Sequence, residues 1–209
     1  MTQQSLIIFT RYPEIGKAKT RLIPAIGAEK ATNLHRQMTE LTVKKTLELS
    51  QKLELNIHVY FVDGDIDLMR LWLGNNLNFQ PQSLGDLGEK MYSALKDRFL
   101  ANDTEIIIIG TDCPSLNVEI LLVAFEQLKN HDLVIGKAED GGYYLIGLKS
   151  LAKDLFTNIN WSTAQVFQQT ISIAQKLNLT IYDNLPILRD IDTCEDLQFY
   201  QNDQNKLFS

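Results

Sequence analysis

Short apolar runs alternate along this chain with longer stretches whose apolar residues recur every three or four positions. The runs predict strands at 5–10, 56–62, 105–110, 132–137, 143–148 and 179–182. Glu105-Ile106-Ile107-Ile108-Ile109-Gly110 is the clearest of them. Four consecutive β-branched residues suit a strand buried on both faces, as in a parallel sheet. Helical spacing appears in four sets: Ala31, Leu34, Met38, Leu41; Leu87, Met91, Ala94, Leu95; Leu121, Ala124, Phe125, Leu128; and Val166, Thr170, Ile173, Leu177. Ser162 with Gln165 predicts a capping box for the last set, and Thr193 with Asp196 predicts one for a short final helix. Strands alternating with helices imply a mostly parallel sheet between two helical layers, an α/β three-layer sandwich. Only five residues separate 132–137 from 143–148. That is too few for a helical crossover, so one of the pair should run antiparallel and make the sheet mixed.

No repeat, low-complexity tract or linker interrupts the pattern, and 209 residues fit one domain spanning 1–209. No apolar run approaches the roughly 20 residues of a membrane span. The first residues, Met1-Thr2-Gln3-Gln4-Ser5, lack the basic start of a signal peptide, so the cytoplasm is the expected location. Cys113 and Cys194 lie far apart in sequence, and His35, His58 and His131 share no ligand spacing, so neither a disulfide framework nor a zinc site is indicated. A net charge of −6 argues against nucleic acid as a partner.

Against that acidic background, Arg11-Tyr12-Pro13-Glu14-Ile15-Gly16-Lys17-Ala18-Lys19-Thr20-Arg21 stands out. Arg11, Lys17, Lys19 and Arg21 follow the first strand directly, and only Glu14 opposes them within the segment. A strand running into a cationic loop and then a helix is a common way to hold phosphates. In an open parallel sheet, ligands bind beyond the carboxyl ends of the strands. The loop after 105–110, Gly110-Thr111-Asp112-Cys113-Pro114-Ser115, should therefore share an edge with the cationic loop. Asp112 is placed either to hold Mg²⁺ against phosphate oxygens or to close an Asx-turn before Pro114.

A second acidic stretch, Arg189-Asp190-Ile191-Asp192-Thr193, offers another metal ligand, with Asp192 the better candidate over Asp190. Gly85-Asp86-Leu87-Gly88-Glu89 opens a helix, and two glycines there allow either a ligand's close approach or an ordinary turn. Glu139-Asp140-Gly141-Gly142-Tyr143 reads as a hairpin turn, with Asp140 free to face a substrate.

Five ordered motifs, F-T-R-Y-P-E-I-G-K-A-K-T-R-L, G-D-L-G-E-K-M, G-T-D-C-P-S-L, D-G-G-Y-Y-L-I-G-L and D-I-D-T-C-E-D-L, resemble a bacterial GT-A-type glycosyltransferase-like family, "transferase 1, radical-SAM/selenodomain-associated", a former domain of unknown function. The resemblance runs from about residue 5 to 200. It implies the nucleotide-diphospho-sugar transferase fold, and the layout is similar to molybdenum-cofactor nucleotidylyltransferases and phospholactate guanylyltransferases. Their glycine-rich run before the basic residues is replaced here by Tyr12-Pro13-Glu14-Ile15-Gly16.

By position, the resemblance implies Asp112 and Asp192 as ligands of Mg²⁺ or Mn²⁺. It implies Arg11, Lys17, Lys19 and Arg21 on the nucleotide's phosphates, with Lys17, Arg21 and Asp112 catalytic. Gly85, Asp86 and Gly88 would lie near the base or ribose, and Asp140, Gly141, Gly142 and Tyr143 near the second substrate. The expected reaction is nucleotidyl transfer from an NTP to a small phosphorylated acceptor with release of pyrophosphate. The alternatives are glycosyl transfer from a sugar nucleotide and nucleotide binding without turnover.

Overall fold

The computed structural model describes residues 3–199. Seven strands form one sheet: β1 (Gln4–Arg11), β2 (Leu55–Val62), β3 (Asn78–Pro81), β4 (Glu105–Ile109), β5 (Leu133–Lys137), β6 (Tyr143–Leu148) and β7 (Ile181–Tyr182). Their spatial order is β3-β2-β1-β4-β6-β5-β7. β1 pairs in parallel with both β2 and β4, and β5 pairs in parallel with β7. β6 runs antiparallel between β4 and β5, as the short loop before it requires.

The helices are α1 (Ile23–Ile26), α2 (Ala28–Leu49), α3 (Ile66–Leu73), α4 (Leu87–Leu100), α5 (Val118–Leu128) and α6 (Val166–Lys176). Ile107 and Ile109 of β4 pack with α2, α3 and α5 residues such as Val43, Met69 and Phe125. Ile106 and Ile108 pack on the other face with Met91 and Leu95 of α4 and Ile171 of α6. The sheet is thus sandwiched between two helical layers. Each of these buried isoleucines contributes about 1.5–3 kcal/mol. Among the described residues, no helix is long and apolar enough to cross a membrane.

Three features depart from the sequence pattern. β3 and α3 were not expected. β3 is a four-residue strand at the edge with only Phe79 buried, and its Pro81 is tolerated at the strand's end. α3 is apolar over most of its surface, with Asp67 and Arg70 together on one side, yet buries only Met69; it is started by Asp65, whose carboxylate accepts from the Leu68 amide at 2.9 Å. The buried stripe of α2 is rotated from the expected one: Ala31 and Met38 are buried, but His35, Thr42 and Thr46 join them while Leu34 and Leu41 are half-exposed. Threonine suits this stripe because its hydroxyl is satisfied within the helix; that of Thr42 donates to Met38 O at 3.0 Å.

The Ser162–Gln165 capping box does not form. Ser162 takes a left-handed backbone (φ 62°), and Gln165 caps α6 without a side-chain bond. The Phe167 amide, in the first turn, instead donates to Gly141 O at 2.9 Å. A Cβ at Gly141 would lie 2.2 Å from Ala164 O, so this hairpin glycine lets the turn seat on the helix start.

His58, on β2, is buried, and the Arg98 guanidinium lies 3.1 Å from its Nε2. Burial, and then the Arg98 charge, push its pKa from 6.5 down to about 4. The unfolded chain therefore takes up this proton first. The contribution of His58 to stability is whole above pH 6.5 and is lost as pH falls toward 4, to a total of about 3 kcal/mol. Urea midpoints measured from pH 7 to 4 should fall less in His58→Asn than in the parent chain. Parallel curves would show that His58 carries no such linkage.

Candidate active site

The chain leaves β1 at Arg11 and turns through Pro13 and Gly16 over the carboxyl edge of the sheet. It reaches Lys19 in a left-handed conformation (φ 48°, ψ 44°). That backbone costs a non-glycine residue roughly 1–2 kcal/mol. Two charge-assisted contacts offset the cost. The Lys19 ammonium lies 2.7 Å from Asp112 Oδ1 and 2.8 Å from Asp192 Oδ1. The Lys19 side chain is 4% exposed, whereas those of Asp112 and Asp192 are 46% and 38% exposed. Burial alone would lower the Lys19 pKa; the charges of Asp112 and then Asp192 outweigh it and hold the ammonium above its ordinary value.

Asp112 sits just past β4, beside β1 in the sheet. Lys45, on α2, tethers this loop by donating to Pro114 O at 2.6 Å and Leu116 O at 2.7 Å. Asp192 arrives from a segment that continues the sheet edge. Leu188 bridges Ala138, the Tyr144 hydroxyl donates to Pro186 O at 2.8 Å, and the Ile191 amide donates to Asp112 O at 2.9 Å. The Thr193–Asp196 capping box closes the segment as expected: the Thr193 amide donates to Asp196 Oδ2 at 2.8 Å and the Asp196 amide to Thr193 Oγ1 at 3.3 Å.

The other cations of the loop also have acidic neighbours, more than the sequence suggested. Lys17 pairs with Glu14 at 2.7 Å and Asp63 at 3.4 Å, and Arg11 reaches Asp63 at 3.6 Å. Arg21 is the least committed, 69% exposed and 3.7 Å from Asp192 Oδ2. Arg11, Lys17, Lys19, Arg21, Asp112 and Asp192 all line one cavity of about 530 Å³. Phe9, Val62, Gln82 and Leu87 line it as well.

His35, not proposed from the sequence, also lines this cavity. Its Nε2–H donates to Arg11 O at 3.0 Å, and burial lowers its pKa, so the neutral ring braces the start of the loop. A lone histidine in the helix pattern gave no signal of this.

A smaller cavity of about 260 Å³ shares Asp112, Thr111, Phe9 and Leu87 with the first. Tyr143 and Asp190 line it. Asp190 thus differs from Asp192. It accepts from Cys113 Sγ at 2.6 Å, and burial pushes its carboxyl up to about 6.

The remaining proposed residues have structural uses. Asp86 and Glu89 form a capping box at α4, and a Cβ at Gly85 would lie 2.2 Å from Glu89 Oε2. A Cβ at Gly88 would meet Phe156 O at 2.5 Å and the Trp161 ring at 2.6 Å, so protein fills the space beside that glycine. Asp140 accepts from the Gly142 amide at 2.8 Å in an Asx-turn. Neither cavity is lined by Gly85, Asp86, Gly88, Asp140, Gly141 or Gly142.

Among the described residues, no cluster of three or more His, Cys, Asp or Glu side chains stands ready to hold a metal alone. Two carboxylates already converging on a cation, beside a basic cavity, nonetheless fit Mg²⁺ or Mn²⁺. Mg²⁺ in particular takes one or two protein carboxylates and completes its shell with water and substrate phosphate.

The fold is that of the nucleotide-diphospho-sugar transferases. A protein of Desulfovibrio desulfuricans G20, provisionally described as a nucleotide-diphospho-sugar transferase, is 34% identical, with 98% of this chain and 89% of that one covered and a TM-score of 0.89. The 4-diphosphocytidyl-2C-methyl-D-erythritol synthase of Anaerococcus prevotii DSM 20548 shares the fold at 13% identity (98% and 96% covered, TM-score 0.63). So does Rv0371c of Mycobacterium tuberculosis H37Rv in complex with manganese, at 12% identity (95% and 97% covered, TM-score 0.55). The model of the family "Uncharacterized protein conserved in bacteria (DUF2064)" matches residues 45–163, and the chain belongs to that family. No curated protein matches it.

Removing the ammonium between two carboxylates leaves them facing each other. Lys19→Met should cost about 1–3 kcal/mol, less than for a fully buried pair because both acids are partly exposed. Adding Asp192→Asn should recover part of that loss. Urea unfolding of the two single variants and the double would show this as non-additivity; strict additivity would mean that the contact carries no coupling.

Proposed function

We propose that this protein is a divalent-metal-dependent transferase that moves a nucleotidyl group from an NTP to a small phosphorylated acceptor and releases pyrophosphate. The observation that carries the reading is the meeting of four loop cations with two carboxylates from distant stretches in one cavity. Asp112 and Asp192 hold the metal, which when bound neutralises charge on the donor's phosphates. Lys17 and Arg21 exchange their exposed acidic partners for phosphate oxygens and receive the leaving pyrophosphate. Lys19 stays between the carboxylates and keeps them aimed. An acceptor phosphate is already ionised, so its attack on the α-phosphate needs no catalytic base. Catalysis then rests on positioning and charge stabilisation. The manganese complex of a protein of the same fold supports the metal requirement.

A second reading, glycosyl transfer from a sugar nucleotide to a hydroxyl acceptor, is favoured by the smaller cavity. No Lys or Arg lines it, which suits an uncharged acceptor. The 34% identical relative's description points the same way.

A thermal-shift panel of NTPs and sugar nucleotides with Mg²⁺ and Mn²⁺ separates the two, because preferential binding to the native state raises its melting temperature. Stabilisation by NTPs and release of pyrophosphate are expected; stabilisation by sugar nucleotides alone would favour the second reading. Asp112→Asn should lower metal-dependent turnover about 10²–10³-fold with the fold retained, and unchanged Mg²⁺-dependent rates would remove the metal assignment. Lys17→Ala with Arg21→Ala should weaken triphosphate binding while sparing nucleoside binding. Equal losses for both, measured by calorimetry, would place the phosphates elsewhere.

A further inference from the structure

The charges that line the larger cavity do not cancel. Arg11, Lys17, Lys19 and Arg21 share the lining with Asp112 and Asp192, which leaves an excess of two cations. Glu14 and Asp63 compensate from outside that lining, beside Lys17 and Arg11. The two acids that could hold a metal already hold a cation. Lys19 Nζ lies 2.7 Å from Asp112 Oδ1 and 2.8 Å from Asp192 Oδ1, and its side chain is buried. Each acid keeps a second oxygen. Among the described residues, Asp112 Oδ2 has no partner and Asp192 Oδ2 has Arg21, at 3.7 Å.

Moving the Lys19 ammonium away would leave it buried without either carboxylate, a costly state. A metal at these acids is therefore confined to their outer oxygens. There it meets an ammonium that has already neutralised one of the two negative charges, and a guanidinium that repels it. What remains is a poor return for the water a divalent ion must shed. Mg²⁺ in particular dehydrates reluctantly and completes its shell with substrate phosphate. A polyphosphate reverses the balance: it offsets the cationic lining and supplies the missing oxygens.

We propose that Lys19 is a built-in counter-cation that keeps free divalent metal off Asp112 and Asp192, so that the metal binds only together with the donor's phosphates. This rests on the reading of those two acids as the metal ligands. Lys19 is then a positioning residue with a second use: without it, the acids would hold a metal before any substrate arrived.

Melting curves of the full chain with MnCl₂, with inorganic pyrophosphate and with both test this, because binding to the native state raises Tm. Pyrophosphate represents the donor's phosphates and leaves the base out. Mn²⁺ alone should leave the parent Tm unmoved, and the two together should raise it beyond pyrophosphate alone. Lys19→Met should melt below the parent chain yet gain roughly 5 °C from Mn²⁺ alone. Lys19→Arg, which keeps the charge, should not gain, and neither should Lys19→Met combined with Asp112→Asn. A purely structural Lys19 would lower the Tm of Lys19→Met without giving it this response, and that result would overturn the inference. So would Mn²⁺ alone raising the parent Tm as far as Mn²⁺ with pyrophosphate does, although the metal site would then stand. That comparison decides the matter even where Lys19→Met does not fold. No response to Mn²⁺ in any arm would remove the metal site and the inference together.

Discussion

One ammonium holds this edge of the molecule together. Lys19 lies between Asp112, from the middle of the chain, and Asp192, from its last quarter, and each of the three is placed by a different constraint. β1 and β4 are neighbours in the sheet, which brings the Lys19 loop to the Asp112 loop. The backbone bond from Ile191 to Asp112 ties in the late acidic segment. A buried lysine is tolerated only with partners, and two converging carboxylates are equally unfavourable without a cation. Each side removes the other's penalty, and the left-handed backbone at Lys19 is the strain accepted to bring them together.

The two carboxylates of the late segment show how one local sequence produces two environments. Asp190 and Asp192 are two residues apart, yet one accepts from a buried thiol and titrates near 6, while the other faces a cation in an open cavity. Residues two apart on a regular strand would share one side, so the separation comes from the irregular chain beyond the bridge at Leu188. Asp190 therefore belongs to the smaller, apolar cavity and Asp192 to the larger, charged one. Asp112 lines both, so any group transferred between ligands in the two would pass it.

Much of the fold was legible because buried strands and amphipathic helices write their period into the chain. The isoleucine run of β4 could hardly be anything else, and the five-residue loop forced β6 antiparallel. What escaped detection buries little: β3 hides one side chain and α3 hides one. The rotation of the α2 stripe was hidden because threonines pack its core face, and threonine carries no apolar signal. At the site, residue types and the rule that ligands sit beyond strand ends placed the loop cations, Asp112 and Asp192 on one edge. The glycines were ambiguous for a physical reason. A missing Cβ marks close approach without saying of what, and at Gly85 and Gly88 protein is what approaches. His35 had no sequence signal because its bracing role comes from a backbone carbonyl brought near only by folding.

The resting charge balance divides the loop cations into two kinds. Local sequence shows four cations and one acid, but folding adds Asp63, Asp112 and Asp192, so every cation has a carboxylate neighbour. Exposed pairs are worth little, so Lys17 and Arg21 can trade a carboxylate for a phosphate at small cost. Lys19 is buried, and withdrawing it would strand two acids. A phosphate-bearing ligand entering this cavity would therefore rearrange the rim and leave the pivot in place. The same division explains why a chain with net charge −6 can present a basic pocket. The cations nearest the solvent are the ones whose partners are easiest to exchange, and the one cation that cannot be exchanged is the one that aims the acids.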